Sequence, residues 1–343
     1  MKALLLREYK KLEYVDFPDP EYQENEVLIQ VKSCGICGSD IHGYDGSSGR
    51  RIPPIIMGHE AAGEIVAVGK KATAWKIGDR VTFDSTLYCQ TCSYCRQGEI
   101  NLCDNRQIFG VSCADYRRHG AFAEYLAVPE FVLYRIPDEV GYDQAAMIEP
   151  ISIAFHSLNL TPLKLNDAAI VVGAGMIGLL VIQALRLAGY GAIIVADIDP
   201  SKFRLATEFG ADICVVSDPQ IIRQAVAEAT GGIGASVALD VVGMGNSLQV
   251  ALAGLKKGGH LTLIGNLTPE VTLPLQQVVT RQICLQGSCA SAGEYQACLD
   301  MLARKMIKVD PIISKFAALS EGAVWFDRLY RRQESLLKVI LKP

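Results

Sequence analysis

The chain has 343 residues, half of them hydrophobic and one fifth charged, and its formal net charge is −4. A chain of this length is expected to form about two domains, each able to bury its own core. Dispersed Lys and Arg residues argue against a nucleic-acid surface, and no apolar run reaches the roughly 20 residues that span a bilayer. The first residues contain only four successive apolar side chains, too few for a secretory signal. We therefore expect a cytoplasmic protein with neither nucleic acid nor membrane as a partner.

Short strands joined by glycine- and proline-rich turns are predicted for about the first 150 residues. The segments with the length and the β-branched content of strands are 26–32, 61–69, 79–83 and 122–128. We therefore expect the N-terminal part of the chain to be rich in β-structure.

The strand at 26–32 leads into a polar segment, 34–60, which carries two of the five histidines. Within this segment, Cys37, His59 and Glu60 are ligand types that zinc prefers. Three protein ligands leave one coordination position open for a reacting molecule. The alternative is a glycine-rich surface loop whose polar side chains are solvated. The segment is therefore a candidate catalytic metal site.

Four of the eleven cysteines form the pattern C-x2-C-x2-C-x7-C, at Cys89, Cys92, Cys95 and Cys103. Gaps of two residues let successive thiolates turn towards one centre, and four sulfurs close a tetrahedral zinc site. Such a site fastens a loop and leaves no position for a substrate. An iron–sulfur cluster needs similar cysteine spacing, and free thiols are the other alternative. Because the intervening residues are typical of an exposed lobe, structural zinc is the better interpretation.

The pattern changes at about residue 151, where apolar strands begin to alternate with helices. Strands are predicted at 168–172, 192–198, 213–216, 236–242 and 260–265, and helices at 176–187 and 201–209. Strands that alternate with helices form parallel βαβ units with helices on both faces of the sheet. The end of the chain returns to mixed structure, with a last strand predicted at 336–341.

The first of these apolar strands is followed directly by a glycine-rich turn. Gly173, Gly175 and Gly178 form G-x-G-x-x-G at the start of a predicted helix. The first glycine permits a tight turn, the second lets a pyrophosphate approach the backbone, and the third allows close packing of helix on strand. Asp197 can bond the ribose hydroxyls and would repel a 2′-phosphate, so NAD is favoured over NADP. The alternative is a glycine turn beside an empty crevice.

Together, these segments resemble the zinc-dependent medium-chain dehydrogenases. The similarity rests on GICGSDIH, GHEAAGEIVAVG, the four-cysteine lobe, IEPISIAFH and VVGAGMIGLL. Two details of the sequence resemble the polyol dehydrogenase branch, which includes sorbitol and galactitol-phosphate dehydrogenases. Glu60 follows His59, and Glu149 stands in IEP. The resemblance implies an α/β fold: a GroES-like, β-rich catalytic domain and a Rossmann domain with a doubly wound parallel sheet.

The resemblance also implies domain boundaries and bound groups. The catalytic domain would cover 1–153, the NAD-binding domain 154–289, and a return to the catalytic domain 290–343. Each subunit would bind NAD and two zinc ions, one catalytic and one structural. Members of the family are commonly homodimers or homotetramers, and we expect one of these states.

Several roles of individual residues are implied by the resemblance alone. Cys37, His59 and Glu60 would bind the catalytic zinc. Glu149 would be a further ligand or a partner of the zinc-bound water, and Asp40 would orient His59. The four cysteines of the lobe would bind the structural zinc.

The resemblance also implies a route for the substrate proton and a set of cofactor contacts. Ser39 would take the hydroxyl proton, and His42 would pass it towards solvent through the cofactor ribose. Ile177, Asp197 and Lys202 match positions that touch the nicotinamide or the adenosine half of NAD, beside the three glycines of the fingerprint.

These roles imply reversible transfer of a hydride to NAD from a secondary alcohol of a polyol or sugar-derived alcohol, phosphorylated or not. The alternatives are another zinc-dependent alcohol or L-threonine-type dehydrogenase, and a non-catalytic zinc-bearing binding protein on the same fold. Ala290 and Ser291 stand where sorbitol dehydrogenases carry an Arg–Tyr pair, which weakens an assignment to sorbitol. Arg50 and Arg51 are expected to be solvated, with contact to a phosphate or to hydroxyls as the alternative.

Overall fold

The computed structural model describes residues 1–333 and 336–343, so residues 334 and 335 of the predicted return segment lie outside the described part. The chain forms two compact units. Unit 1 comprises Met1–Glu149 and Ala292–Pro343, and unit 2 comprises Pro150–Ser291. As limits of independently folding domains, the predicted boundaries after 153 and 289 stay predictions.

Strands and helices are labelled in chain order. The strands are β1 Lys2–Glu8, β2 Lys11–Asp16, β3 Glu26–Gly35, β4 Ile55–Ile56, β5 Glu60–Val68, β6 Arg80–Phe83, β7 Thr86–Leu87, β8 Gln107–Ile108, β9 Val111–Ser112, β10 Arg117–Arg118, β11 Tyr125–Pro129, β12 Leu133–Arg135, β13 Ala169–Val172, β14 Ile193–Asp197, β15 Ile213–Val216, β16 Ala235–Asp240, β17 Leu255–Leu263, β18 Cys284–Gly287, β19 Ile313–Ala318 and β20 Lys338–Lys342. The α-helices are α1 Gly38–Tyr44, α2 Ser93–Arg96, α3 Tyr142–Ala145, α4 Ile148–Asn159, α5 Met176–Leu187, α6 Phe203–Glu208, α7 Pro219–Thr230, α8 Gly245–Gly254, α9 Leu275–Thr280, α10 Tyr295–Ala303 and α11 Gly322–Tyr330. Across the described ranges, none of these helices is long and apolar enough to cross a bilayer.

Unit 1 is built on a seven-stranded sheet. Its strand order is β12-β6-β5-β3-β20-β19, and β11 also pairs with β3. Buried and half-buried side chains alternate along most of β3, as expected for a strand with one face on the core. The buried aromatic side chains of this core include Phe83, Phe122 and Phe326. The last strand of the chain, β20, pairs directly with β3 and β19.

Unit 2 contains a six-stranded parallel sheet in the order β15-β14-β13-β16-β17-β18. Every residue of β13 and β14 is buried, which is typical of parallel strands covered on both faces. The chain runs outward from β13 to β15 and then returns to β16 on the other side of β13. The strand order therefore reverses at β13, and ligands bind beside the carboxyl end of such a strand. The predicted fold class is confirmed.

Several predicted elements start at other residues in the structure: the strand predicted at 122–128 begins at Tyr125, and the one predicted at 336–341 begins at Lys338. Two further differences have a local cause. The helix predicted over 201–209 begins as a 3-10 turn, Pro200–Lys202, before α6. The Asp199 side chain accepts a bond from the Ser201 N–H at 3.0 Å, and this cap fixes the tighter turn. The strand predicted at 260–265 begins earlier, at Leu255, because it follows the end of α8 without a loop.

Candidate metal centre and nucleotide site

Cys37, His59 and Glu60 come together in unit 1, with one ligand atom from each inside a cluster of mutual distances below 4.8 Å. The antiparallel pairing of β3 with β5 sets Gly35 opposite Glu60. A Cβ atom on Gly35 would lie 2.4 Å from Glu60 Oε2 and would displace this buried carboxylate. Cys37 follows as the N-cap of α1. Strand pairing and a helix start therefore place the three side chains.

The donor atoms of this cluster fit a zinc ion. Glu60 Oε1 is buried and accepts no bond from any residue in the described ranges. His59 Nδ1 lies 3.4 Å from Asp40 Oδ1, which leaves Nε2 on the side of Cys37 and Ser39. A thiol, an imidazole and an unpaired carboxylate oxygen form a three-ligand set with room for one more ligand.

Asp40 is fully buried beside His59 and is surrounded by donors. Arg51 Nη2 donates to its Oδ1 at 3.2 Å, and the Cys37 N–H donates to its Oδ2 at 3.2 Å. Burial favours the neutral acid, but His59 and then Arg51 outweigh it and lower the pKa of Asp40 to about 2. The carboxylate is thus held ionised next to the imidazole.

The expectation that Arg51 is solvated is wrong, because the residue is only 5% exposed. Its backbone forms a β-bridge with Ser112, which directs the side chain inward. The side chain lies over Gly43, where a Cβ atom would come within 2.0 Å of Arg51 Cγ. Arg51 therefore belongs to the buried polar network around Asp40.

Lys338 on β20 is a second buried cation beside the cluster. Lys338 and Glu60 both have fully buried side chains, and Lys338 Nζ bonds Glu60 Oε2. The same ammonium donates to the Ile36 carbonyl at 3.1 Å. One oxygen of Glu60 is therefore neutralised by lysine while the other remains available for a metal ion.

Glu149, the second residue of α4, is an electrostatic neighbour of these ligands and not a member of the cluster. Burial raises the pKa of its carboxyl to about 7; His59 opposes this rise and Glu60 adds to it. Its predicted role as a zinc ligand or as a partner of bound water stays a prediction.

Ser39 and His42 lie three residues apart on α1, so they project from the same side of the helix. Ser39 Oγ is 3.5 Å from His59 Nε2 and accepts a bond from Arg51 Nη2 at 3.3 Å. The side chains of both Ser39 and His42 are exposed. The serine hydroxyl thus lies at the metal cluster, one helical turn before the histidine.

The lobe cysteines form a second cluster. Their sulfur atoms lie within 4.8 Å of one another, at Cys89, Cys92, Cys95 and Cys103. Backbone N–H groups point at the sulfurs: Cys92 N donates to Cys89 Sγ at 3.3 Å, and Cys89 N donates to Cys103 Sγ at 3.2 Å. Hydrogen bonds from Thr91 lead the effects that lower the pKa of Cys89 to about 5. Four thiolates in this arrangement fit a closed zinc site.

In unit 2, the glycine-rich turn lies between β13 and α5 at the switch point of the sheet. Gly173 has φ +103°, which disfavours any other residue. A Cβ atom on Gly178 would lie 1.9 Å from the Gly173 carbonyl oxygen, whereas one on Gly175 would meet nothing within 4 Å. The turn therefore packs tightly on one side and is open on the other, which fits a dinucleotide pyrophosphate.

Asp197 lies at the end of β14 and holds this turn. Its Oδ2 accepts a bond from the Ala174 N–H at 2.6 Å, and its Oδ1 accepts one from the Asp199 N–H at 2.8 Å. Lys202 Nζ lies 3.1 Å from Oδ1. Ile177 is half-buried in the first turn of α5. The predicted cofactor residues are thus gathered around one end of the sheet.

Two family models match the chain. The model described as Alcohol dehydrogenase GroES-like domain matches residues 23–138, and that described as Zinc-binding dehydrogenase matches residues 177–304. Sorbitol dehydrogenase from Bacillus subtilis (strain 168) is 31% identical over 100% of this chain and 97% of its own length. D-arabitol-phosphate dehydrogenase from Enterococcus avium is 31% identical over 97% of this chain and 94% of its own.

The chain is also similar to the crystal structure of galactitol-1-phosphate dehydrogenase from Escherichia coli, with a TM-score of 0.92, 26% identity and 100% of both chains covered. This chain belongs to the zinc-dependent medium-chain dehydrogenases. It resembles their polyol branch, as predicted, and it is a zinc-dependent, NAD-linked alcohol dehydrogenase.

The sequence did not predict that two residues of this dehydrogenase, Lys338 and Arg51, belong to the site. Lys338 contacts Glu60 across 278 positions of sequence, and its signal was a single lysine inside the otherwise apolar strand predicted at 336–341. Such a lysine needs a buried partner. Arg51 offered no comparable signal, since it stands next to Arg50 in a polar loop.

A test of the buried ion pair compares two lysines of β20. The substitution Lys338→Met leaves the buried Glu60 carboxylate without its cation and should lower the free energy of unfolding by about 3–5 kcal/mol. Lys342→Met removes a half-exposed pair with Asp143 and should cost less than about 1 kcal/mol. Urea denaturation measures both. Equal losses would contradict the assigned role of Lys338.

The packing of the glycine-rich turn can be tested in the same way. Gly178→Ala places a methyl group against the Gly173 carbonyl, so we expect about 1–3 kcal/mol of destabilisation and weaker NAD binding by calorimetry. Gly245→Ala, whose added Cβ meets nothing within 4 Å, is the matched control and should bind NAD normally. Normal NAD affinity and stability in the Gly178 variant would show that this contact is not needed.

Proposed function

We propose that this enzyme oxidises, reversibly and with NAD, a secondary alcohol of a polyol or of a sugar-derived alcohol. One observation carries the proposal. Cys37, His59 and Glu60 form a cluster of three donors, and one oxygen of Glu60 is left without a partner in the described ranges. Such a set keeps one coordination position for the substrate oxygen.

The proposed roles follow from the placement of the side chains. Zinc held by the cluster supplies a Lewis acid that lowers the pKa of an alcohol hydroxyl, and NAD supplies the hydride acceptor. Ser39 Oγ, beside His59, would accept the proton of the substrate hydroxyl as it releases its own, and that proton would pass through the cofactor ribose to His42 and on to solvent. Asp40 holds the orientation of the His59 ring and keeps its Nε2 on the metal side.

The charge of the ligand set supports a strong Lewis acid. A Cys37 thiolate and a Glu60 carboxylate together offset the two charges of zinc, but Lys338 returns one positive charge through Glu60 Oε2. The centre therefore stays electrophilic. A Glu149 carboxylate bound permanently to zinc would add a negative charge and so cancel the effect of Lys338. We therefore propose that Glu149 acts on the bound water or exchanges with it.

The cofactor assignment to NAD rests on Asp197. Its carboxylate is only 5% exposed and is tied to the glycine-rich turn through Ala174. A fixed negative charge at the end of this strand repels a 2′-phosphate. Gly173, Gly175 and Gly178 would cradle the pyrophosphate, and Ile177 and Lys202 would contact the cofactor.

The substrate class is proposed from the relatives. Their names concern sorbitol, arabitol phosphate and galactitol 1-phosphate, which are polyols with and without phosphate. Ala290 and Ser291 replace the Arg–Tyr pair of sorbitol dehydrogenases, so a polyol other than sorbitol fits better. We further propose a cytoplasmic location, because four thiolates for zinc need a reducing compartment. The resemblance alone supports the proposal of a homodimer or homotetramer.

Metal analysis separates the two proposed zinc sites. The wild-type protein should contain two zinc ions per chain, and Cys37→Ala should contain one and show no turnover. Cys34→Ala removes a buried thiol outside both clusters and should keep two zinc ions. Plasma mass spectrometry provides the count. A Cys37 variant that retained both ions and its activity would refute the assignment of this site.

The cofactor preference is tested at Asp197. Asp197→Asn keeps the size of the side chain and removes its charge, but it leaves one acceptor oxygen for the N–H groups of Ala174 and Asp199. The ratio of kcat/KM for NAD to that for NADP should fall by about tenfold or more. Asp199→Asn is the control, since its side chain accepts a bond from Ser201 N–H instead. A wild-type enzyme that used NADP alone would contradict the interpretation of Asp197.

A further inference from the structure

Unit 2 has a surface cavity of about 440 Å³ at the edge of its sheet that lies opposite the glycine-rich turn. The first residue of β17, Leu255, lines this cavity, and so does Gly234, which directly precedes β16. The six residues of β16 lead from there to the cofactor edge, a distance of about 17 Å at roughly 3.3 Å per residue. The cavity is therefore separate from the nucleotide site.

The cavity lies between the ends of two helices, α7 and α8. At the end of α8, a Cβ atom on Gly254 would lie 3.1 Å from Val226 Cγ2 of α7. Arg223 precedes Val226 by three residues and so shares its face of α7. After α7, Gly234 has φ +95°, and a Cβ atom there would lie 2.9 Å from the backbone nitrogen of Lys256. Glycines thus let the chain pass closely around the cavity.

The lining of this cavity is strongly basic. It contains four cations, Arg223, Lys256, Lys257 and Arg281, and no acidic side chain among the lining residues that the structure describes. The chain as a whole has a net charge of −4, so this concentration of positive charge is local. The carbonyl ends of α7 and α8 contribute about half a negative charge each. Four full positive charges exceed this, and the cavity is electropositive.

Two of the four cations have a role within the fold. Arg281 Nη1 donates to the Leu252 carbonyl at 3.0 Å, in the last turn of α8, and its Nη2 bonds the Leu255 carbonyl. Lys256 Nζ donates to Ser236 Oγ at 2.8 Å. Both bond neutral oxygens, so both retain an uncompensated positive charge at the cavity.

Arg223 and Lys257 have no such role. Their side chains form neither a hydrogen bond nor an ion pair with any residue in 1–333 and 336–343. The side chain of Gln277, on the α9 side of the cavity, is free in the same sense. All three residues are exposed. The cavity is therefore open to solvent, and a ligand can reach these donors without a change in the fold.

We propose that this cavity binds a small molecule that carries two phosphate groups. Its volume lies in the range of ligand sites, roughly 300–1,000 Å³. A phosphate ester carries about −1.5 to −2 at neutral pH, so two such groups balance four cations, whereas a dicarboxylate balances only two. The Arg223 guanidinium suits bidentate contact with one phosphate, and the Lys257 ammonium supplies a point charge for the other. This site goes beyond the proposed function and does not depend on it.

Calorimetric titration of the zinc- and NADH-loaded enzyme tests the site, because NADH then occupies the nucleotide crevice. The probes are the terminal bisphosphonates of ethane, butane and hexane. Butylphosphonate, with one phosphonate, and adipate, with two carboxylates on four carbons, are the comparison compounds. None of them is an alcohol, so none can be oxidised. At least one bisphosphonate should bind with a Kd at least tenfold below those of butylphosphonate and adipate.

Two variants connect this binding to the cavity. Arg223→Gln and Lys257→Gln should each raise the Kd of the best bisphosphonate by about tenfold, and the double variant by about 100-fold. Lys164→Gln removes an exposed cation of unit 2 that does not line the cavity, and it should leave this Kd unchanged. The bisphosphonate should also raise the melting temperature of the wild type but not that of the double variant.

Three results would overturn the site. The first is that no bisphosphonate binds more tightly than butylphosphonate and adipate. The second is that Lys164→Gln weakens binding as much as the cavity variants do, which would indicate attraction by net charge alone. The third is that the double variant keeps the wild-type Kd. Because the variants change exposed side chains, their melting temperatures without ligand should equal that of the wild type. A protein that bound the bisphosphonate but oxidised no alcohol would refute the proposed function alone.

Discussion

The fully buried carboxylate of Glu60 is the group on which the metal centre depends. Its Oε2 bonds Lys338 and its Oε1 has no protein partner in the described part of the chain. A buried charge is tolerated only when it is paired. The lysine provides that pairing from the last strand of the chain, and the open oxygen remains for a metal ion. The C-terminal segment that returns to unit 1 thus supplies Lys338 to the site as well as β20 to the sheet.

The same arrangement of one buried cation for one buried carboxylate occurs at Asp40. Arg51 bonds Asp40, and Asp40 lies beside His59, just as Lys338 bonds Glu60. Arg51 contributes to the low pKa of Asp40, and Lys338 places a positive charge directly against Glu60. The ligand set can therefore be formed before the metal binds, and the two cations limit the negative charge that the metal experiences. Rigid, charge-balanced ligands favour a strong Lewis acid.

The sequence could predict those features that depend on the spacing of residues within one short segment. The four lobe cysteines, the three glycines and the alternating strands and helices of unit 2 each lie within one short segment, and the structure brings each set together. Contacts between distant segments were not accessible in this way. Arg51 pairs with Asp40 because a β-bridge to Ser112 turns it inward. Lys338 meets Glu60 because β20, at the other end of the chain, pairs with β3.

The central claim is an open metal centre formed by Cys37, His59 and Glu60, and anomalous diffraction at the zinc absorption edge tests it most directly. The account predicts two peaks per chain. One lies among the four lobe sulfurs, and the other lies about 2.3 Å from Cys37 Sγ and about 2.0–2.1 Å from His59 Nε2, with a non-protein ligand in its remaining position. A single peak at the lobe, in crystals of enzyme that turns over, would contradict the account.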